Sequence, residues 1–267
     1  MYRPYRAAPD RFPRLETGAG LRARRCSLGS ATVPSYLITG VSRGIGRTVS
    51  ERLLAAGHQV YGLVRPGRSV SGLSLAGLVA ADLAQPGSLE AALAPWLAGL
   101  TQLDGVVHCA GIVRPGSLGG SAPADFTEQF TVNVTAVAEL NRLLLPALRA
   151  AGGTVVLVNS GSGLNARSPL VSYGASKFAL RAYADGLRQE EPGVRVCTLY
   201  PGRTATEMQR VVRAAEAGEY READYLAPDT VARVVEMMLM LPSDGVLTDV
   251  TLRPSGAAGP ASPDAHR

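Results

Sequence analysis

Lysine is almost absent from this sequence: its 267 residues include 26 arginines but one lysine, Lys177. Arginine can supply a surface charge, but it does not replace a compact ammonium whose pKa burial can shift. We therefore expect the single lysine to stand where chemistry requires an amine. Histidine is also scarce. The three histidines are far apart and lack the spacing of zinc ligands, so no metal site is expected: His58, His108 and His266.

Cysteines and long apolar segments are the next absences. The cysteines are odd in number and widely spaced, which favours a reducing, cytoplasmic location without structural disulfides: Cys26, Cys109 and Cys197. No apolar run approaches the ~18 residues that span a membrane, so no membrane partner is expected. A hydrophobic content of 46% in 267 residues is typical of one sizeable globular domain.

The net charge of +5 is confined to one end of the chain. Residues 1–30 contain seven arginines and two acidic residues, and the remainder is neutral. The sequence also lacks a basic groove rich in aromatic residues, so no nucleic-acid partner is expected. Residues 1–30 are interpreted as a disordered extension or the result of a start codon assigned too far upstream, with a targeting or anion-binding arm as the alternative.

Strand-like and helix-like stretches alternate along residues 31–254, and residues 255–267 are predicted to be a flexible tail. This alternation predicts one α/β domain with three layers, in which helices cover both faces of a doubly wound parallel sheet. The predicted strands are 35–39, 59–64, 78–83, 103–109, 153–158, 194–200 and 249–252. The predicted helices are 45–56, 88–97, 125–150, 173–190 and 230–240. Ligands of such sheets bind beyond the carboxyl ends of the strands.

A glycine-rich turn joins the first strand to the first helix. Its sequence, Thr39-Gly-Val-Ser-Arg-Gly-Ile-Gly46, lets the backbone turn sharply and come close to a ligand. The helix that follows offers free N–H groups and a positive dipole end to a pyrophosphate. The turn therefore predicts a nucleotide site with the following residues: Gly40, Ser42, Arg43, Gly44, Ile45 and Gly46.

The single lysine lies four residues after a tyrosine, in Tyr173-Gly-Ala-Ser-Lys177. Positions four apart share a helix face, so the phenol and the ammonium can reach one reacting group. A phenol with a pKa near 10 is a weak acid–base at neutral pH, and a nearby ammonium is expected to lower that pKa. The alternative is a lysine that survived by chance on a solvated helix.

The glycine turn and the Tyr-x3-Lys pair together resemble the short-chain dehydrogenase/reductase family, NAD(P)-dependent enzymes built on a Rossmann sheet. Further matches occur in order along the chain: Asp82-Leu83, Cys109-Ala110-Gly111, Asn133, Ser160, and Pro201-Gly202 followed by Thr204 and Thr206. The resemblance implies that Asp82 binds the adenine and that Lys177 binds the nicotinamide ribose. It further implies that Asn133 orders a water in a proton relay. Asn133 as a structural asparagine is the alternative.

The resemblance also assigns the chemistry. Tyr173 would protonate a substrate carbonyl as hydride arrives, and Ser160 would hold the same oxygen. Ser162 is the alternative serine in Ser-Gly-Ser-Gly. The expected function is the reversible reduction of a small carbonyl compound to its alcohol. A sensor or scaffold that binds cofactor without turnover is the second hypothesis.

Arginines predict which cofactor is used. NAD sites place an acid after the second strand, whereas NADP sites place arginine there. Here Val64 is followed by Arg65-Pro-Gly-Arg68, no acid is nearby, and Arg43 precedes Gly44. The prediction is NADP(H).

Two departures from the family pattern bear on stability and assembly. His108-Cys109 replaces an asparagine pair, which removes an amide between strands and predicts an exposed, oxidisable thiol near the cofactor. The last strand lacks a following glycine pair, so homodimer and homotetramer both stay open. The substrate pocket is predicted between residues 113–119, 164–170 and 203–225, the last of these as a mobile lid.

Overall fold

The computed structural model describes residues 33–255. The predicted extension at residues 1–30, and the predicted tail apart from its first residue, lie outside the described residues. Seven strands form one sheet: β1 (Ser35–Thr39), β2 (Gln59–Val64), β3 (Gly77–Ala80), β4 (Gly105–His108), β5 (Thr154–Val158), β6 (Arg195–Pro201) and β7 (Asp249–Leu252). The strands are apolar and mostly buried, as expected for strands covered on both faces.

Helices connect successive strands, except between β2 and β3. They are α1 (Gly44–Ala55), α2 (Leu89–Leu97), α3 (Pro123–Phe130), α4 (Ala136–Ala151), α5 (Val171–Glu190), α6 (Glu207–Ala215) and α7 (Pro228–Met240). Within the described residues, no helix combines the length and apolar character needed to cross a membrane.

All strand pairs are parallel, in the order β3-β2-β1-β4-β5-β6-β7. This confirms the predicted doubly wound α/β fold of Rossmann type. The chain leaves β1 for β2 on one side and later returns to place β4 on the other. Thr39 therefore lies opposite both Leu63 of β2 and His108 of β4. The crevice beyond these strand ends is where such sheets bind ligands.

Two apolar cores fix the helices on the sheet. On one face, leucines of α2, α4 and α5 pack against β1, β4 and β5. On the other face, Val49 and Leu53 of α1 meet Val231, Val235 and Leu239 of α7. Because both faces are covered, functional groups concentrate at the carboxyl edge of the sheet.

Three details differ from the sequence-based prediction. The third strand ends at Ala80, so Asp82 stands in the loop beyond it. The helix predicted over 125–150 is interrupted by a π-helical turn, Thr131–Thr135. The apolar spacing runs through this turn unbroken, so the sequence pattern does not reveal the interruption. The lid predicted over 203–225 contains α6, which the sequence analysis missed.

Candidate active site

A cavity of about 1060 Å³ opens at the carboxyl edge of the sheet. All the predicted cofactor residues line it: Gly40, Ser42, Arg43, Gly44, Ile45, Gly46, Arg65, Asp82, Leu83, Cys109, Ala110, Gly111, Tyr173, Lys177, Pro201, Gly202, Thr204 and Thr206. Ser160 and Ser162 line it as well. Asn133 does not, and its side chain lies beneath the wall. The fold therefore brings residues from six strand ends to one site.

The glycine turn is shaped by close backbone contacts. A Cβ on Gly46 would lie 2.5 Å from the Gly40 carbonyl oxygen, and one on Gly40 would lie 3.0 Å from the Ala110 nitrogen. Gly40 and Gly44 also have φ of +72° and +56°, a region that favours glycine. The first turn of α1 lines the cavity and contains no acidic residue. Its positive dipole end and N–H groups suit a pyrophosphate.

The neighbouring wall is held by side-chain hydrogen bonds. The Ala110 N–H donates to the Thr39 hydroxyl at 3.0 Å. Asn133, only 1% exposed, accepts from the Ile112 N–H at 2.9 Å and donates to the Ile112 carbonyl and the Ser176 hydroxyl, each at 3.0 Å. Asn133 thus ties the loop after β4 to α5. Its side chain acts as a structural asparagine, and the water relay stays a prediction.

Tyr173 and Ser160 meet at the substrate end of the cavity. Tyr173 stands in the first turn of α5 and is 8% exposed. Ser160 follows β5 and accepts a hydrogen bond from the Ser162 N–H at 3.1 Å. Its hydroxyl also interacts with the Tyr173 phenol. The hydroxyl groups of Ser160 and Tyr173 therefore lie together in the cavity, and the catalytic role of Ser160 stays a prediction.

Lys177 lies one helical turn beyond Tyr173 and is 4% exposed. Its ammonium donates to the Val158 carbonyl at 3.3 Å and lies 5.8 Å from the centre of the Tyr173 ring. Asn159 donates to the Lys177 carbonyl at 3.1 Å, which fixes the helix against the end of β5. The single lysine is thus buried inside the site and is not a solvated surface residue.

Burial decides the acidity of both groups. It raises the pKa of Tyr173 to about 12, and the Ser160 interaction lowers it in part. Burial likewise lowers the pKa of Lys177 to about 8. The expectation of a lowered pKa for Tyr173 is therefore wrong for this structure, because burial of the phenol raises it. The phenol is protonated at neutral pH.

The structure also shows the surroundings of His108 and Cys109, which stand where the family pattern has an asparagine pair. Burial raises the pKa of the Cys109 thiol to about 12, so the predicted reactivity near the cofactor is not supported. His108 faces the opposite core, where its Nε2 lies 2.8 Å from Asn141 Oδ1. Burial lowers the pKa of His108 to about 4, so the ring is neutral. His108 thus contacts α4, while Thr39 Oγ1 joins the end of β1 to the turn after β4.

Three exposed arginines line the end of the cavity beside the glycine turn and the end of β2: Arg43, Arg65 and Arg68. Within the described part of the chain, none of their side chains forms an ion pair or hydrogen bond. An unpaired guanidinium is available to bind phosphate through its forked N–H groups. Asp82 accepts a hydrogen bond from the Ala84 N–H at 3.0 Å, which shapes the loop beneath the same end.

The substrate end is covered by the segment that contains α6. Thr206 caps the helix, and its hydroxyl accepts from the Gln209 N–H at 3.4 Å. Arg203 anchors the far end of the helix by binding Glu216 at 2.7 and 2.8 Å. Met208 and Val212 of α6 pack in a small apolar cluster with Tyr173. The predicted pocket wall over 203–225 thus contributes to the cavity.

Comparison with known proteins agrees with the geometry. The sequence profile of the short chain dehydrogenase family matches residues 35–217. The chain therefore belongs to the short-chain dehydrogenase/reductase family, a class of oxidoreductases. It is 33% identical over 188 residues to the uncharacterized oxidoreductase YbbO of Escherichia coli K12, covering 68% of this chain and 70% of the relative.

Other relatives cover more of the chain. Dehydrogenase/reductase SDR family member 11 of Mus musculus is 27% identical over 245 residues, covering 82% of this chain and 93% of the relative. Among solved structures, a metagenomic short-chain oxidoreductase in complex with NADP has 27% identity and a TM-score of 0.68. The match covers 83% of this chain and 97% of that one.

Sequence reasoning missed several residues of the site. The pattern Thr206-x-x-Gln209 before an apolar helix face is a capping signal that could have revealed α6. Asn159, which binds the Lys177 backbone, and Arg253, which lines the cavity beside Gly161, carried no local signal. Tertiary structure alone brings these two residues to the site.

Proposed function

We propose that this protein is an NADPH-dependent reductase of a small carbonyl compound, which also oxidises the alcohol in reverse. The observation that carries this proposal is the meeting of Tyr173, Ser160 and Lys177 at the end of a glycine-lined cavity. The family contributes the class of reaction, oxidation and reduction. The residues of this chain supply its acid, its oxygen-binding group and its buried cation.

The cofactor, when bound, supplies or accepts the hydride. Ser160 holds the carbonyl oxygen of the substrate by donating a hydrogen bond. Tyr173 stands beside it with a protonated phenol, since burial raises its pKa to about 12, and gives that proton to the oxygen. Lys177 supplies positive charge to the phenolate that remains. Tyr173 and Lys177 are both buried, so little water competes for the proton.

Residues on both sides of the cavity fit NADP(H). The close backbone of the glycine turn and the free end of α1 suit the pyrophosphate. Among residues 33–255, Arg43 and Arg65 have no ion-pair partner, so both can bind the 2′-phosphate. The sequence places no acid after β2 to bind free ribose hydroxyls. An NADP complex of a relative at 27% identity supports the same choice.

Replacing Arg43 and Arg65 together by serine is expected to remove the preference for NADPH. Charged hydrogen bonds contribute about 1.5–3 kcal/mol each, so even at the low end of that range the loss of two should raise the Kd for NADPH by about 100-fold. The Kd for NADH should change little. Both constants are measured by titrating the intrinsic fluorescence of the protein. Arg181→Ser, which removes an exposed charge outside the cavity, is the control. Equal affinity of the unchanged protein for NADH and NADPH would contradict the assignment.

The two directions of the reaction should depend on pH differently. Alcohol oxidation needs the Tyr173 phenolate, and with a pKa raised to about 12 its fraction grows up to tenfold per pH unit. Carbonyl reduction needs the phenol, which stays protonated over the same range. We expect kcat/KM for oxidation to rise from about pH 6 toward pH 8, above which Lys177 loses the charge that stabilises the phenolate, and that for reduction not to rise. Steady-state assays in both directions test this, and an oxidation rate independent of pH would count against Tyr173 as the base.

The proposal is tested by following NADPH consumption against aldehydes, ketones, diketones and oxo acids. Turnover on any of these carbonyl compounds establishes the reductase. Tight NADPH binding with no turnover on the whole panel would favour the sensor or scaffold of the second hypothesis. Cytoplasmic location stays a prediction. Assembly as a homodimer or homotetramer remains a prediction.

A further inference from the structure

Arginine side chains at the substrate end of the cavity fall into two groups. Most of them have partners on the protein. Arg114 binds Glu128 through two hydrogen bonds of 2.9 and 2.8 Å. Arg203 binds Glu216 in the same forked way at 2.8 and 2.7 Å. Their charge and their donors are therefore already used within the protein.

Arg253 and Arg167 form the other group. Both line the cavity, and in the part of the chain that the structure describes neither guanidinium has an ion pair or hydrogen bond. Arg253 follows β7, and its Nη1 lies 3.7 Å from the position of a Cβ on Gly161. Gly161 is the residue directly after Ser160. Arg253 thus places an unpaired cation close to the group that holds the substrate oxygen.

The backbone beneath Arg167 is fixed. The Arg167 carbonyl accepts from the Leu170 N–H at 2.8 Å, which closes a turn directly before α5. The Gly116 N–H donates to the Pro169 carbonyl at 2.7 Å and holds this turn against the loop after β4. Arg167 therefore stands on a defined part of the wall, a short distance along the chain from Tyr173.

The same cavity also has an apolar surface, to which α6 contributes. Tyr173 packs with Val113 and Val212, and Leu170 and Met208 complete the cluster. A ligand that satisfies this surface has an apolar body and one anionic end. Unpaired guanidinium groups bind carboxylates through two parallel hydrogen bonds, which gives both affinity and orientation.

We propose that the substrate is an oxo carboxylic acid with a short apolar chain. Its carboxylate binds Arg253, with Arg167 as the second cation, and its carbonyl lies at Ser160 and Tyr173. This inference rests on the proposed reductase function and names its substrate class. Arg253 and Arg167 determine specificity, and Tyr173 and Ser160 perform the chemistry on any carbonyl placed there.

The test compares oxo carboxylic acids of increasing chain length with their methyl esters. In the unchanged protein, kcat/KM for the preferred acid should exceed that for its ester by about tenfold, since a charged hydrogen bond at an exposed site lies at the low end of its range. In Arg253→Ala this acid-to-ester ratio should fall by most of that factor. The loss should arise through a higher KM for the acid, because the contact is made before and during reaction.

Two controls keep the outcome specific. Arg181→Ala removes a positive charge outside the cavity and should retain the acid-to-ester ratio. Arg253→Lys keeps the charge without the fork and should recover part of the ratio. Esters reduced as well as acids by the unchanged protein would overturn this inference and leave the reductase intact. No turnover of either series, with turnover of other aldehydes or ketones, would also overturn this inference alone. Bound NADPH with no turnover of any carbonyl compound would contradict the reductase as well.

Discussion

Replacing Tyr173 by phenylalanine is expected to lower kcat/KM for carbonyl reduction by about 10²–10⁴-fold, because the substrate oxygen loses its proton donor. The change removes one oxygen and keeps the ring. The ring packs with Val113 and Val212, so the fold and the cofactor half of the cavity should be unaffected. The measurement is steady-state NADPH consumption with the best substrate of the carbonyl panel, together with the Kd for NADPH.

A second tyrosine provides the matched control. Tyr36 of β1 is 4% exposed and lies outside the cavity, so Tyr36→Phe also removes a buried phenol oxygen but spares the site. Its activity should match that of the unchanged protein. Full turnover by Tyr173→Phe would remove the proposed acid. Loss of NADPH binding in Tyr173→Phe would instead assign the residue to the cofactor site and not to proton transfer.

Replacing Gly46 by alanine is expected to abolish tight cofactor binding and to destabilise the protein by about 1–3 kcal/mol, as overpacking does. The new Cβ would lie 2.5 Å from the Gly40 carbonyl oxygen and 2.8 Å from its carbon. Both atoms belong to the backbone, so the turn itself must move. The measurements are the midpoint of denaturant unfolding and the Kd for NADPH.

Gly186 offers a matched comparison within another helix. A Cβ there meets nothing within 4 Å, so alanine should stabilise α5 by roughly 0.5–1 kcal/mol through helix propensity. Substitution by alanine is thus expected to destabilise the protein at Gly46 and to stabilise it at Gly186. Unfolding and NADPH affinity of Gly46→Ala equal to those of the unchanged protein would show that the turn tolerates a side chain.

The parts of the site that sequence could predict are local ones. The residues of the glycine turn are close together in the sequence, and so are Tyr173 and Lys177. Strand–helix alternation places both motifs at one sheet edge. The acidity of Tyr173 was predicted with the wrong sign, because burial in the folded protein decides it. The π-helical turn at Thr131–Thr135 was missed because helical and π-helical segments share an apolar pattern.

Contacts between residues that are far apart in the sequence could not be predicted. Arg253 reaches Gly161 because β7 pairs with β6, and this pairing places the residue after β7 next to Gly202. No local pattern marks that arginine as part of the cavity. Asn133 is the opposite case. Its position in the sequence matches a family motif, but its side-chain amide forms hydrogen bonds to Ile112 and Ser176.

Because Lys177 is the only lysine in the chain, it can serve as an NMR probe of the site. Feeding isotope-labelled lysine to the expressing cells labels one side chain in the entire polypeptide, and that side chain is buried in the cavity. Its resonance needs no assignment. The chemical shift of Lys177 Cε, the carbon next to the amine, follows the protonation of Lys177 directly. A ligand that enters the cavity is detected through the same chemical shift.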